Sequence, residues 1–212
     1  MANKYLPIGI SVVTRTCLVV GGGAVALRKV ETLLDYETKI TVIGPKPDAK
    51  IEYHAKMGRV ELIAREYTSP EAGKYGLVIA ASSDAYVNNE VYKDAIAARV
   101  SVNVVDNPPL CDFIFPAITR RDCLTVAVST DGQAPFLAGF LREFLDGIFP
   151  DRWCRIAGYA GVFRRMVMKE GPKEAEKRQQ CLERFLKADW KVLLKDKDEE
   201  AIEMQFRNWL KE

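Results

Sequence analysis

The chain has 212 residues, enough for one ordinary domain and a smaller companion. Hydrophobic residues make up 48% and charged residues 28%, a soluble globular balance that argues against disorder. The net charge of +2 is too small to imply a nucleic-acid partner, and no apolar run approaches the roughly 20 residues of a membrane helix.

The start, "MANKYLPIGISVV", has only a short, broken apolar stretch, which argues against a secretory signal. Thr16 to Val20 reads as a strand, and Val25 to Leu34 as a helix whose apolar Val25, Ala26, Val30, Leu33 and Leu34 fall near one face. Arg28, Lys29 and Glu31 lie off that face. Further strands are expected at Lys39 to Gly44, Val60 to Arg65, Tyr75 to Ser82 and Val100 to Asp106. The fourth is apolar almost throughout, as suits a strand covered on both faces. A helix is expected over residues 85 to 99. Strands alternating with helices imply a parallel sheet with right-handed crossovers.

Between the first strand and helix stands Gly21-x-Gly23-x-x-Ala26, in "LVVGGGAVALRKV". A strand–glycine turn–helix context is what gives this motif meaning as a dinucleotide fingerprint. Glycine takes backbone angles that a side chain forbids and lets a pyrophosphate approach the main chain. The helix N-terminus then offers free N–H groups and a partial positive charge. The acid expected at the end of the second strand is missing, since Ile43-Gly44-Pro45-Lys46 stands there. Lys46 would suit a 2′-phosphate, so both NAD and NADP remain open.

Asp106 closes the fifth strand, where open α/β sheets place their ligands, although Asp before Asn107-Pro108 also suits a plain turn. "FIFPAI" and "LTVAVST" read as short strands around the turn "TRRDC", and "APFLAGFLREFLDGIF" as a helix with Pro135 in its first turn. Ser129 and Thr130 precede that helix and suit a cap or a turn. In the tail, Leu182, Phe185, Leu186, Trp190, Leu193 and Leu194 form one apolar helical stripe, and Ile202, Phe206, Trp209 and Leu210 another. Both are read as packing faces. Gly171-Pro172 breaks the tail before them. The five cysteines are Cys17, Cys111, Cys123, Cys154 and Cys181. Their number is odd and none are at C-x-x-C spacing, which reads as reduced thiols in a cytoplasmic protein. His54 is the only histidine, with no Cys or His at ligand spacing, so no metal site is expected and His54 is read as a surface residue.

Three stretches, "YLPIGISVVTRTCLVVGGGAVALRKVETLL", "NVVDNPPLCDFIFPAI" and "LTVAVSTDGQAPFLAGFLREFL", resemble the precorrin-2 dehydrogenase family of sirohaem synthesis. That family includes stand-alone dehydrogenases, dehydrogenase–ferrochelatases and the matching module of sirohaem synthase. The resemblance covers roughly residues 4 to 148, and the tail shares it only loosely. It implies an α/β architecture: a Rossmann-type NAD-binding domain over 1–115, a small α+β dimerisation region over 116–149 and a helical C-terminal region over 150–212.

The resemblance also implies a homodimer that oxidises precorrin-2 to sirohydrochlorin with NAD, to which charge, hydropathy and cysteine pattern add a cytoplasmic setting without nucleic-acid or membrane partners. A dehydrogenase that also inserts Fe²⁺, or a non-catalytic NAD(H)-sensing module, are the alternatives. Residue by residue, the resemblance places the cofactor loop on Gly21, Gly22, Gly23, Ala24 and Val25. Further cofactor contacts fall on Ile43, Pro45 and Lys46, and on Ala81 and Ser82. Asp106 matches the proposed acid/base. A polycarboxylate substrate calls for cationic walls. Arg120 and Arg121 are candidates, with Ser129 and Thr130 alongside, and Arg152, Arg155, Arg164, Arg165 and Lys169 supply either more wall or an ordinary solvated helix face. Many relatives read Ser-Thr-Gly-Gly-Lys-Ser-Pro where this chain has Ser129-Thr130-Asp131-Gly132-Gln133-Ala134-Pro135, a departure that removes a glycine and a hydroxyl.

Overall fold

A computed structural model describes residues 4–196 and 198–211. The chain divides into two compact units, residues 1–115 and 116–212. The hairpin region and the helical tail, read separately in the sequence, fall in one unit.

The first unit holds five parallel strands: β1 (Thr16–Val20), β2 (Lys39–Ile43), β3 (Glu61–Ile63), β4 (Leu77–Ala80) and β5 (Ser101–Val104), in the order β3-β2-β1-β4-β5. Helices α1 (Ala24–Leu34), α2 (Ala49–Lys56) and α3 (Ala85–Ala97) make the crossovers. Successive residues of β1 point to opposite faces, so the sheet seals two cores. Cys17 and Val19 pack with Val30 of α1 and Ile51 of α2. Leu18 and Val20 pack with Val91 and Ala95 of α3. All these residues are buried, which is why β1 reads as an unbroken apolar run.

Beyond β1, which matched, the expected strands overran the observed ones by one or two residues at an end. Tyr75, Gly76, Val105 and Asp106, for instance, lie outside β4 and β5. Gly76 N–H still bonds the Thr16 carbonyl and Val105 N–H the Ala80 carbonyl of the neighbouring strands, and past Val105 the chain turns, with Asn107 N–H on the Val104 carbonyl. Helix α2 was not expected, because one buried residue, Ile51, gives it almost no apolar period. His54 lies on it, half-buried, with its Nδ1 3.5 Å from Arg59 Nη1.

The second unit opens with an antiparallel hairpin, β6 (Ala117–Arg121) and β7 (Leu124–Val128), followed by α4 (Pro135–Ile148). "FIFPAI" was expected as the strand and "TRRDC" as the turn. Instead Thr119, Arg120 and Arg121 belong to β6, and the turn is only Asp122-Cys123. Asp122 takes the left-handed conformation (φ 52°) that a two-residue hairpin turn demands. Phe113 and Phe115 instead meet edge to face and pack against the first unit's core.

Helices α5 (Arg152–Glu170), α6 (Ala175–Lys187), α7 (Trp190–Asp196) and α8 (Glu199–Lys211) complete the unit. Phe163, Phe185, Trp190 and Phe206 meet there as a buried aromatic cluster. The first tail stripe is therefore split over two helices, and its Leu186 is 76% exposed rather than packed. Among the described residues no helix is long and apolar enough to cross a membrane.

Within this unit Asp146 of α4 accepts from the Thr119 hydroxyl and pairs with Arg121 Nη2 at 3.0 Å. The Thr119 bond and the arginine hold its carboxyl below the usual aspartate range. A depressed carboxyl contributes stability above its unfolded value, and that contribution is lost as pH falls through the folded one. Asp146→Asn should therefore lower the melting temperature at pH 7 and flatten its acid dependence below pH ~4. Calorimetric melts at pH 7 and pH 3 check this. Equal destabilisation at both pH values would show that the pair contributes nothing through its charge.

Candidate functional site

The C-terminal edge of the parallel sheet gathers the glycine turn after β1, the loop after β2, and the ends of β4 and β5. Gly21 has φ 125°, and a Cβ there would collide with the Ala81 carbonyl and lie 2.9 Å from Ser82 N. Its N–H bonds the Ile43 carbonyl at 2.8 Å. Only glycine fits so tight an approach. A Cβ on Gly22 would lie 2.7 Å from the Lys46 carbonyl oxygen, and the Gly22 carbonyl accepts from Asp48 N–H at 2.8 Å. The turn is thus locked between the β2 and β4 loops.

Gly23 differs. Its φ of −80° suits any residue, and a Cβ there would meet nothing within 4 Å. It caps α1 with no side-chain acceptor for the helix's first N–H groups. Those unpaired donors, with Ala24 and Val25 in the first turn, form the kind of helix terminus that takes an anion. The open space over Gly23 therefore fits a dinucleotide pyrophosphate.

Ile43 is buried at the end of β2, while Pro45 and Lys46 are exposed. Ala81 and Ser82 follow β4. Ser82 is held by a two-way clasp: its N–H donates to Asn88 Oδ1 at 3.0 Å, and its carbonyl accepts from Asn88 Nδ2 at 2.9 Å. Asn88 had no sequence signal, because an Asn inside a helix reads as surface.

Asp106 is exposed and lies two residues past β5 in the left-handed region, φ 59°. Asp is among the few side chains that tolerate it. Neighbouring residues brace this turn. Asp112 Oδ2 accepts from Val102 N–H, Asn103 Nδ2 donates to the Phe113 carbonyl at 2.9 Å, and the Cys111 thiol donates to the Val104 carbonyl. Burial pushes the Cys111 thiol up, so it serves packing.

Lys29 of α1 is the residue that the sequence placed as a solvated helix position. It is half-buried, and its ammonium lies 4.0 Å from the Phe115 ring centroid, a cation–π contact. Burial pulls it below the usual lysine range, Arg28 adds to that, and Asp106 and Cys111 oppose it. The sequence gives no hint that "FIF" folds back over α1.

The other candidates lie in the second unit. Ser129 Oγ accepts from Asp131 N–H and Thr130 Oγ1 from Ala134 N–H, so both shape the turn into α4. Asp131 (φ 57°) and Gly132 (φ 79°) are consecutive left-handed residues in that turn. Arg120 is exposed, and Arg121 is engaged by Asp146 and, at 3.4 Å, by Asp151. Among the described residues no cluster of His, Cys, Asp and Glu has metal-binding geometry.

The chain is 40% identical over 174 residues to a protein named siroheme synthase from Pseudomonas paraeruginosa, covering 82% of this chain and 37% of that protein. Against siroheme synthase from Actinobacillus succinogenes it is 36% identical over 197 residues, 93% of this chain and 41% of the relative. The chain thus spans well under half the length of these curated relatives. A solved structure titled SirC, precorrin-2 dehydrogenase, shares the fold with a TM-score of 0.76 at 20% identity, over 96% of this chain and all of the other. The family model described as putative NAD(P)-binding matches residues 8–117, which holds the whole parallel sheet and its glycine turn, and the chain belongs to that family.

Proposed function

We propose that this chain is an NAD-dependent dehydrogenase that oxidises precorrin-2 to sirohydrochlorin. The observation that carries the reading is the pairing, on one sheet edge, of an uncapped glycine turn with Asp106 held in a braced left-handed turn. The names of its relatives, siroheme synthase and precorrin-2 dehydrogenase, point the same way.

Dehydrogenation of a reduced tetrapyrrole removes a hydride and a proton. When bound, NAD⁺ supplies the hydride acceptor. The chain's own part is to bind and orient. Gly21 to Val25 hold the pyrophosphate through backbone N–H groups, and Ile43, Pro45, Lys46, Ala81 and Ser82 line the nucleotide. Asp106 takes the proton, and the Lys29 ammonium keeps positive charge close to that carboxylate. NAD is the cofactor of this reading, held at the ribose without an acid after β2. Arg120, Arg121, Ser129 and Thr130 are the substrate-facing candidates of the second unit, and Arg121 is already engaged by Asp146 and Asp151. The test is an absorbance assay of precorrin-2 with NAD⁺. Sirohydrochlorin formation is expected, and no turnover with either NAD⁺ or NADP⁺ would overturn the reading.

The working form is a homodimer. Helix α4 exposes Phe136 (82%), Phe140 (64%) and Phe144 (59%), spaced four apart, with Ile148 continuing the stripe. A contiguous apolar face of this kind marks an interaction surface. A second copy of the chain is the occupant in this reading, and five unpaired cysteines fit a reducing, cytoplasmic setting. Light scattering should give twice the 23.8 kDa chain mass. Phe140→Asp should give the single-chain mass without loss of helix content by circular dichroism. A wild-type monomer at micromolar concentration would remove the dimer from the proposal.

A further inference from the structure

In the helical unit, the first turn of α5 and the length of α7 enclose an open pocket of about 480 Å³, lined by Asp151, Arg152, Arg155, Trp190, Lys191, Leu194 and Lys195. Its volume lies within the roughly 300–1,000 Å³ range of small-molecule sites. Its floor is apolar and its rim cationic. Trp190 is buried, stacked on Tyr159 with an interplanar angle of 16°, and its indole N–H is already donated to the Phe185 carbonyl at 2.9 Å. It offers the pocket a flat surface and no further donor.

Arg152 and Arg155 are three apart on α5, and Lys191 and Lys195 four apart on α7, so each pair shares a face. Asp151 is the single acid of the lining, and Arg121 Nε lies 3.4 Å from it. None of the four rim cations has an ion pair among the described residues. Two arginines in the first turn of α5, with no acid beside them in that turn, also run against the helix dipole, which favours negative charge there. Local rules are broken in this way where a site needs the residue.

The geometry points to a binding site for a flat organic polycarboxylate: Arg152, Arg155, Lys191 and Lys195 take the carboxylates, and Trp190 and Leu194 carry an edge of the ring. Guanidinium groups take carboxylates in bidentate fashion, and an apolar floor under a charged rim selects an amphipathic anion over a simple salt ion. The choice of a tetrapyrrole acid as that anion rests on the dehydrogenase reading above. On it, this pocket retains one carboxylate-fringed edge of substrate or product on the helical unit.

The probe is uroporphyrin, a flat octacarboxylate, titrated against the full chain by fluorescence anisotropy. Two variants remove the rim, Arg152→Ala with Arg155→Ala, and Lys191→Glu with Lys195→Glu. All four side chains are exposed, so circular dichroism should match wild type. A control, Lys173→Glu with Lys211→Glu, makes the same charge change as the lysine variant at exposed positions outside the pocket. Each rim variant should bind about tenfold more weakly or worse, and the control within about twofold of wild type. Wild-type affinity in both rim variants, or an equal loss in the control, overturns the site. The precorrin-2 assay on wild-type protein reads the dehydrogenase proposal separately. Turnover with unaltered uroporphyrin binding in the rim variants would sink the pocket alone, and rim-dependent binding without turnover would sink the enzyme reading alone.

Discussion

Gly23→Val should nearly abolish NAD⁺ binding while leaving the protein folded. The expectation rests on a contrast within three consecutive glycines. Gly21 and Gly22 are packed against the backbone of the neighbouring loops, whereas the space over Gly23 is open. In the free protein the Cβ of a valine there meets nothing within 4 Å, and its backbone angles are ordinary for a side chain. The added methyls stand in the open space over Gly23, the proposed approach of the pyrophosphate to the α1 N-terminus. Overpacking of that kind costs up to about 3 kcal/mol, which is about 100-fold in affinity. Replacing glycine at a helix cap costs about 1 kcal/mol at most, a shift of a few degrees in melting temperature. Gly21→Ala makes the opposite trade. Its Cβ would collide with the Ala81 carbonyl, and its φ of 125° strains any side chain. That variant should lose both stability and binding. Calorimetric titration with NAD⁺, beside a thermal melt, reads both quantities. Wild-type affinity in Gly23→Val would mean that the dinucleotide does not cross this turn.

The parallel sheet was legible because burial on both faces writes itself as apolar runs, and β1 matched residue for residue. The glycine turn was legible because its neighbours in sequence are also its structural context. What failed to show had one of two physical causes. Some elements bury too little to carry a period, as with α2 and its single buried Ile51. Others depend on contacts between residues far apart in the chain. Lys29 has the look of a solvated helix residue until Phe115, 86 positions later, comes under its ammonium (115 − 29 = 86). The same holds for Arg121, which reads as a free cation but meets Asp146 and Asp151 across the hairpin and helix. The rim of the α5–α7 pocket joins Arg152 to Lys195 over a span that no short motif records. The hairpin was misplaced for a local reason. Left-handed Asp122 closes a two-residue turn, and the pattern "TRRDC" does not announce which of its residues take that conformation.

Asp106→Asn should lower the dehydrogenase rate by about 10²–10⁴-fold, the usual contribution of a positioned general acid or base. The substitution isolates the carboxylate's chemistry from its structural role. Asp106 holds φ 59°, and Asn tolerates that conformation about as well as Asp, whereas alanine would add strain. The turn is also braced by others: Asp112 on Val102, Asn103 on Phe113 and Cys111 on Val104 do not involve the Asp106 side chain. Fold and melting temperature should therefore be preserved. NAD⁺ affinity should barely change, because the proposed pyrophosphate site is the α1 N-terminus and not β5. What the amide removes is a proton acceptor, and with it the negative charge that opposes the burial of Lys29. A purely structural Asp106 would leave the rate intact, since Asn also suits a turn. The two readings separate in a single steady-state measurement at saturating NAD⁺. A rate within about threefold of wild type, far short of the range for general base catalysis, would return Asp106 to the role of a turn residue and leave the proton to solvent or to the substrate's own carboxylates.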